Sequence, residues 1–249
     1  MKVGELNFLE YLGNEEQNLL TSIVNFRNEF DLFYNLDRVY QEPLKRLVVS
    51  QNEIIIPQLY LFVHFHLYFS LSCLLRSHLS ETLSSLRKAI DASFCAYKII
   101  LEPKTASDYL NRDNYFQFIK SNFQREIRKD PSLYPLAHDL IKIHDVCSQY
   151  GSHSDISSFI HRLEKKEVKD KNTEILFLHY FQFPRDQEEY RFYYLITLQG
   201  FYFMFMIFKS YLDKNLKVID TKWESTVAEF GPLISKLTKE AYSKFEGNP

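Results

Sequence analysis

Two polar stretches lie inside otherwise apolar segments, and they hold the residues whose types could do chemistry. The first comprises Arg76, Ser80, Ser84, Arg87 and Asp91. Steps of three and four residues put these side chains on one helical face. Arg76 and Arg87 would offer that face two guanidinium groups for an anionic ligand, and Arg87 and Asp91 stand at i,i+4 spacing. Glu81 and Lys88 fall on an adjoining face. The competing account is the wet side of an amphipathic helix. The second stretch runs from His144 to His161, where Cys147, Gly151, Ser154 and Ser158 recur at i, i+4, i+7 and i+11. Ser148, Ser152, His153 and Asp155 crowd the same region. A stripe of small residues leaves room for a ligand or lets another backbone approach. Glycine inside a helix costs about 1 kcal/mol, so packing or function must offset Gly151. A catalytic constellation would combine His153 with Arg87 and Asp91. A ligand site would draw on Arg76, Ser148, Gly151, Ser154 and Ser158.

Several chemistries are disfavoured by spacing. His64 and His66 are two apart, which in a helix points them to different faces. His153 and His161 are eight apart, more than about 10 Å along a helix axis. No HExxH is present, so neither a metal nor another cofactor is expected. No GxSxG, P-loop or GxGxxG occurs. Cys147 and His153 are out of phase for a contact pair.

The bulk composition sets the frame around these residues. The chain has 249 residues, 22 Phe and 17 Tyr, but only six Gly and eight Pro. A β-sandwich needs turn residues every 8–12 positions, so this scarcity points to long helices. Thirty basic and 32 acidic residues give a net charge of −2. A chain that grips a nucleic-acid backbone usually carries a basic excess, so general nucleic-acid binding is not favoured. Cys73, Cys95 and Cys147 are scattered in apolar contexts without a CxxC, which fits reduced thiols and a cytoplasmic location. Residues 1–10 lack the apolar run of a signal peptide.

Two segments, 54–75 and 192–208, contain no Asp, Glu, Lys or Arg. The first is long enough to span a bilayer. Pro57, Gln58, His64, His66, Ser70 and Ser72 fit that role poorly, and a helix packed between other helices also lacks charge. No membrane span is expected.

The elements follow from periodicity. Residues 15–40 read as one helix, with Pro43 just past its end. A second helix starts near 44 or after 52 and runs to 76; Pro57 sits in its first turn if it starts late. In the third, 77–101, Leu79, Leu83, Leu86, Ile90, Phe94, Tyr97 and Leu101 form an apolar stripe that Pro103 ends. A short helix follows Ser107-Asp108, and a longer one covers 136–163. The charged run 164–173 reads as a solvated loop, and Ile175–Phe183 as a short strand or an ambiguous apolar segment. A core helix over 186–211 and a C-terminal helix over 223–245, interrupted at Gly231-Pro232, complete the chain. The expected fold class is all-α: an up-and-down bundle with flanking N- and C-terminal helices, in a single domain over 1–249.

The run from Arg76 to Asp91 (RSHLSETLSSLRKAID), the segment from Tyr97 to Pro103 and Tyr150-Gly-Ser-His153 resemble uncharacterised bacterial helical proteins related to the HEPN superfamily. The resemblance covers roughly residues 54–212. It implies a helical bundle in which one helix carries an Arg and an acidic residue, and a later helix a Ser and a His. Ribonucleases of that superfamily carry an R-x4-6-H signature, whose Arg stabilises phosphate and whose His acts on the RNA 2′-hydroxyl. Here Val146, Cys147 and Ser148 stand where that Arg would serve His153. The resemblance therefore implies a non-catalytic binding module. Its partner would be a protein or a second copy of itself, as a homodimer, in a bacterial defence or toxin–antitoxin setting. Two alternatives stay open: a metal-independent ribonuclease using His153 with Arg87 and Asp91, and a small-ligand-binding bundle over Gly151, Ser154 and Ser158.

Overall fold

The computed structural model describes residues 8–47, 54–110, 123–151, 163–168, 173–178, 187–216 and 220–246. It is an all-α helical bundle with one β-hairpin attached. The longer helices are α1 (Phe8–Asn25), α2 (Arg27–Leu44), α3 (Ile55–Leu75) and α4 (Leu79–Leu101). Two short ones follow, α5 (Ala106–Leu110) and α6 (Gln124–Lys129). Next come α7 (Pro135–Gly151), α8 (Gln187–Asn215) and α9 (Thr221–Glu246). Strands β1 (Leu163–Val168) and β2 (Thr173–Leu178) pair antiparallel, with Leu163 opposite Leu178 and Val168 opposite Thr173.

Helix α8 is the hub. It packs against α2, α3, α4, α7 and α9. Tyr194, Phe201, Phe205 and Phe208 are fully buried along it. Its polar groups are used at its neighbours: Tyr190 donates to the Leu74 carbonyl at 2.8 Å, and Tyr40 donates to the Phe201 carbonyl at 2.6 Å. Helices α3 and α8 are each long and apolar enough to cross a membrane by composition. In α8 the most apolar stretch is two-thirds buried inside the bundle, as expected of a core helix.

Several boundaries differ from expectation: Ser107 and Asp108 lie inside α5 rather than capping a helix, and Leu163, expected to end a helix, begins β1. The first helix is split at Phe26, whose φ of −108° and ψ of 39° leave the helical region. The Phe26 ring is wedged against Tyr190 and Tyr194 of α8, so core packing bends the chain where periodicity reads straight through. Pro43 lies in the last turn of α2 rather than beyond it. The charged run at 164–168 is a strand, not a loop. A ladder is built from main-chain groups, so it forms without an apolar face when a strand-prone partner such as Thr173–Leu178 is available. Helix α9 continues through Pro232 without interruption.

Ser77, at φ 67°, closes α3 in the left-handed region. The His78 N–H bonds the Cys73 carbonyl and the Ser77 N–H the Leu74 carbonyl. This is a Schellman ending, and it folds α4 back beside α3.

Gly231 is required by contact rather than by φ. A Cβ there would lie 2.6 Å from Cζ of Tyr202, whose hydroxyl donates to the Val227 carbonyl at 3.2 Å. Gly231→Ala is expected to displace that ring and destabilise the fold by about 2 kcal/mol in urea unfolding. An unchanged midpoint would show that the α8–α9 contact is looser than described.

Candidate functional site

The stripe on α4 does not face bulk solvent. Arg87 and Asp91 are half-buried, and both act electrostatically on Cys147 of α7. Asp91 Oδ1 accepts from Nε2 of Gln124 at 3.1 Å and lies 3.2 Å from Nε2 of His144. The Gln124 amide also lies 3.4 Å from His144 Nε2. Gln124 and His144 are both buried. Gln124 is placed by its neighbour Phe123, whose ring meets Phe94, Tyr97 and Tyr134 edge-on. Beyond His144, Ser148 donates to the His144 carbonyl at 2.8 Å, and its hydroxyl lies 3.4 Å from Nδ1. Arg128 of α6 grips Asp145 through two bonds of 2.6 and 2.7 Å. Those bonds hold the Asp145 carboxyl below the usual range.

The sequence-derived candidates therefore divide. Asp91, Arg87 and Ser148 gather where α4 meets α7. Arg76 stands apart at the end of α3, where it bonds the Ser72 carbonyl and hydroxyl. Gly151 is the last residue of α7. His153, Ser154 and Ser158 lie outside the described residues. The residue that meets Asp91 is His144, which sequence reasoning placed only at the edge of the polar stretch. The signal was available: His144 and Ser148 are one turn apart, on the α7 face that holds Cys147.

The histidine and the thiol of this cluster are enclosed. His144 is 4% exposed. Burial pushes the Cys147 thiol up to about 12, so it stays protonated and is no nucleophile. Among the described residues no three His, Cys, Asp or Glu side chains converge on a metal position.

Two further polar networks join helices. Asp37 of α2 accepts from His64 Nε2 at 2.8 Å, Tyr68 at 2.6 Å and Gln41 at 2.8 Å. Ser70 donates to Ser85 at 2.9 Å, and Ser85 lies 2.7 Å from His66 Nδ1. His64 thus faces α2 and His66 faces α4, as a spacing of two requires. No family model, curated protein or solved structure matches the chain.

Asp91→Ala leaves the buried Gln124 amide without its acceptor and His144 without its charge partner, and should cost about 1–2 kcal/mol of stability. His144→Ala measured alone and together with Asp91→Ala should show coupling beyond about 0.5 kcal/mol; simple additivity would mean that the pair does not interact. His66 supplies a pH prediction. Burial, assisted by the charge of Lys88, depresses its pKa below 6.5. The unfolded chain then binds this proton more readily than the folded one, so the stability due to neutral His66 is complete above pH 6.5 and is lost as pH falls below it. Thermal unfolding from about pH 8 to about pH 5 should show a larger drop for wild type than for His66→Gln. Equal drops would sink this assignment.

Proposed function

We propose that the chain is a non-catalytic helical interaction module that pairs with a second copy of itself through the outer face of α3. One observation carries this. Leu61, Phe62, Phe65, Tyr68 and Phe69 are between 41% and 59% exposed, on a helix with no Asp, Glu, Lys or Arg from 54 to 75. Their spacing forms one continuous stripe. Aromatic side chains of this size contribute on the order of 500 Å² of exposed apolar surface in total. That is at the upper end for a monomer. It is also a large part of the roughly 800 Å² per partner that a stable interface needs.

The face favours its own copy over a charged partner. A surface without charge finds no complement in an acidic or basic groove, but under a two-fold axis it matches itself. Phe65 and Phe69 stack at 6.1 Å, and Tyr68 is pinned by Asp37, so the aromatic groups are already ordered before contact. Little side-chain entropy is then lost on pairing. The protonated Cys147 and the enclosed His144 support binding over catalysis. The HEPN resemblance, with its defence or toxin–antitoxin setting, belongs to this proposal and draws on the helical bundle alone.

Wild type is expected to elute as a dimer, at twice 29.8 kDa by light scattering, and Phe65→Glu as a folded monomer. A monomeric wild type at concentrations of about 100 μM would overturn the proposal, because that is weaker than a specific interface of this size allows.

A further inference from the structure

The geometry points to a binding site for a free α-amino acid with an apolar side chain, in the cavity between α3, α4 and α5. The cavity is about 360 Å³. That is at the small end for ligand pockets, which suits a ligand the size of leucine or phenylalanine. One wall is apolar, made by Ile55, Leu59, Phe62 and Ala92. Lys88 and Asp91 of α4 stand beside it in the lining, which Gln58 and Tyr109 complete.

The charges decide the ligand class. Asp91 is fixed by Gln124 and His144 through Oδ1 alone, and about a quarter of its side chain is exposed. Among the described residues Oδ2 has no hydrogen-bond partner, which leaves it to accept from an ammonium group. Lys88 is exposed, lies on the same helix three residues earlier, and has no carboxylate partner among the described residues. The two do not pair with each other. Positions three apart on a helix set their Cβ atoms about 5–6 Å apart. An α-amino acid places its ammonium and carboxylate groups on adjacent bonds to one carbon. It therefore bridges Asp91 and Lys88 while its side chain lies on the apolar wall. A simple amine would meet the uncompensated lysine, and a simple carboxylate would meet the aspartate. Each loses one ion pair and gains one repulsion, which is how a site of mixed charge discriminates. This site does not depend on self-association, although Phe62 belongs to both surfaces.

The test is calorimetric titration of the full chain with L-phenylalanine and L-leucine, alongside phenethylamine and 3-phenylpropionate. Saturable binding of at least one amino acid is expected, with both half-ligands at least tenfold weaker. Lys88→Met, at an exposed position, should weaken binding at least tenfold without altering the circular dichroism spectrum. Asp91→Asn should do the same while keeping an oxygen for His144 and Gln124. Phe65→Glu, which separates the copies and leaves the cavity lining intact, should bind as wild type does. No saturable binding of either amino acid at millimolar concentration would overturn the proposal. So would half-ligands that bind equally well, or a folded Lys88→Met that binds as wild type.

Discussion

The contact at Gly200 sets the spacing on which the interior depends. Gly200 sits mid-way along α8, and a Cβ there would lie 3.3 Å from Leu86 of α4 and 3.7 Å from Ile143 of α7. Two helices thus close on a third at a point without a side chain. Leu86 and Ile143 each precede a polar residue of the cluster, Arg87 and His144. Helices α4 and α7 also pack directly on each other, and there Asp91 comes within 3.2 Å of His144. A wider residue at 200 would have to be absorbed by core side chains that pack at crystal-like density.

The buried polar groups work as pairs between helices, and each network joins a different pair. Asp37 and His64 link α2 to α3, Ser85 and His66 link α4 to α3, and Asp91 and His144 link α4 to α7. Glu29, accepting from Arg191 at 2.6 Å, links α2 to α8. The net stabilisation from each such bond is about 1 kcal/mol, but leaving a buried partner unpaired costs more. That asymmetry penalises sliding one helix past another by a turn. An apolar bundle rich in Phe and Tyr has many near-equivalent packings, so these few bonds select among them.

The helices were legible because their apolar residues keep a period set by the backbone. The α4 stripe is the clearest example: Leu83, Leu86, Ile90, Phe94 and Tyr97 are all buried. What periodicity cannot carry is information held by another segment. The bend at Phe26 is imposed by Tyr190 and Tyr194, more than 160 residues away. Gly231-Pro232 reads as a break, yet Pro removes only one helical bond, and the α8 packing that includes Tyr202 holds the helix together across it. The strand at 164–168 depends on a partner strand that its own composition does not announce. At the candidate site, Asp91, Arg87 and Ser148 were legible from helical phase. His144 is not singled out by phase, because pairing across α4 and α7 is a tertiary fact.

Helix α3 joins the two themes. Its lack of charge has three physical explanations: burial, contact with lipid, or contact with another protein. The bundle accounts for one side, where Val63, Leu67, Leu71 and Leu74 meet the core. It does not account for Phe62, Phe65 and Phe69, which close over His66 while remaining about half exposed. These rings remove water from His66 on one side and present an apolar surface on the other. His66 is thus fixed beneath the outer layer, and Tyr68 is anchored to the Asp37 carboxylate. The interface between copies proposed above would gain from both, since an ordered aromatic surface loses less entropy when it is covered. The same ordering that satisfies the polar groups beneath α3 thus suits its outer face to that proposed interface.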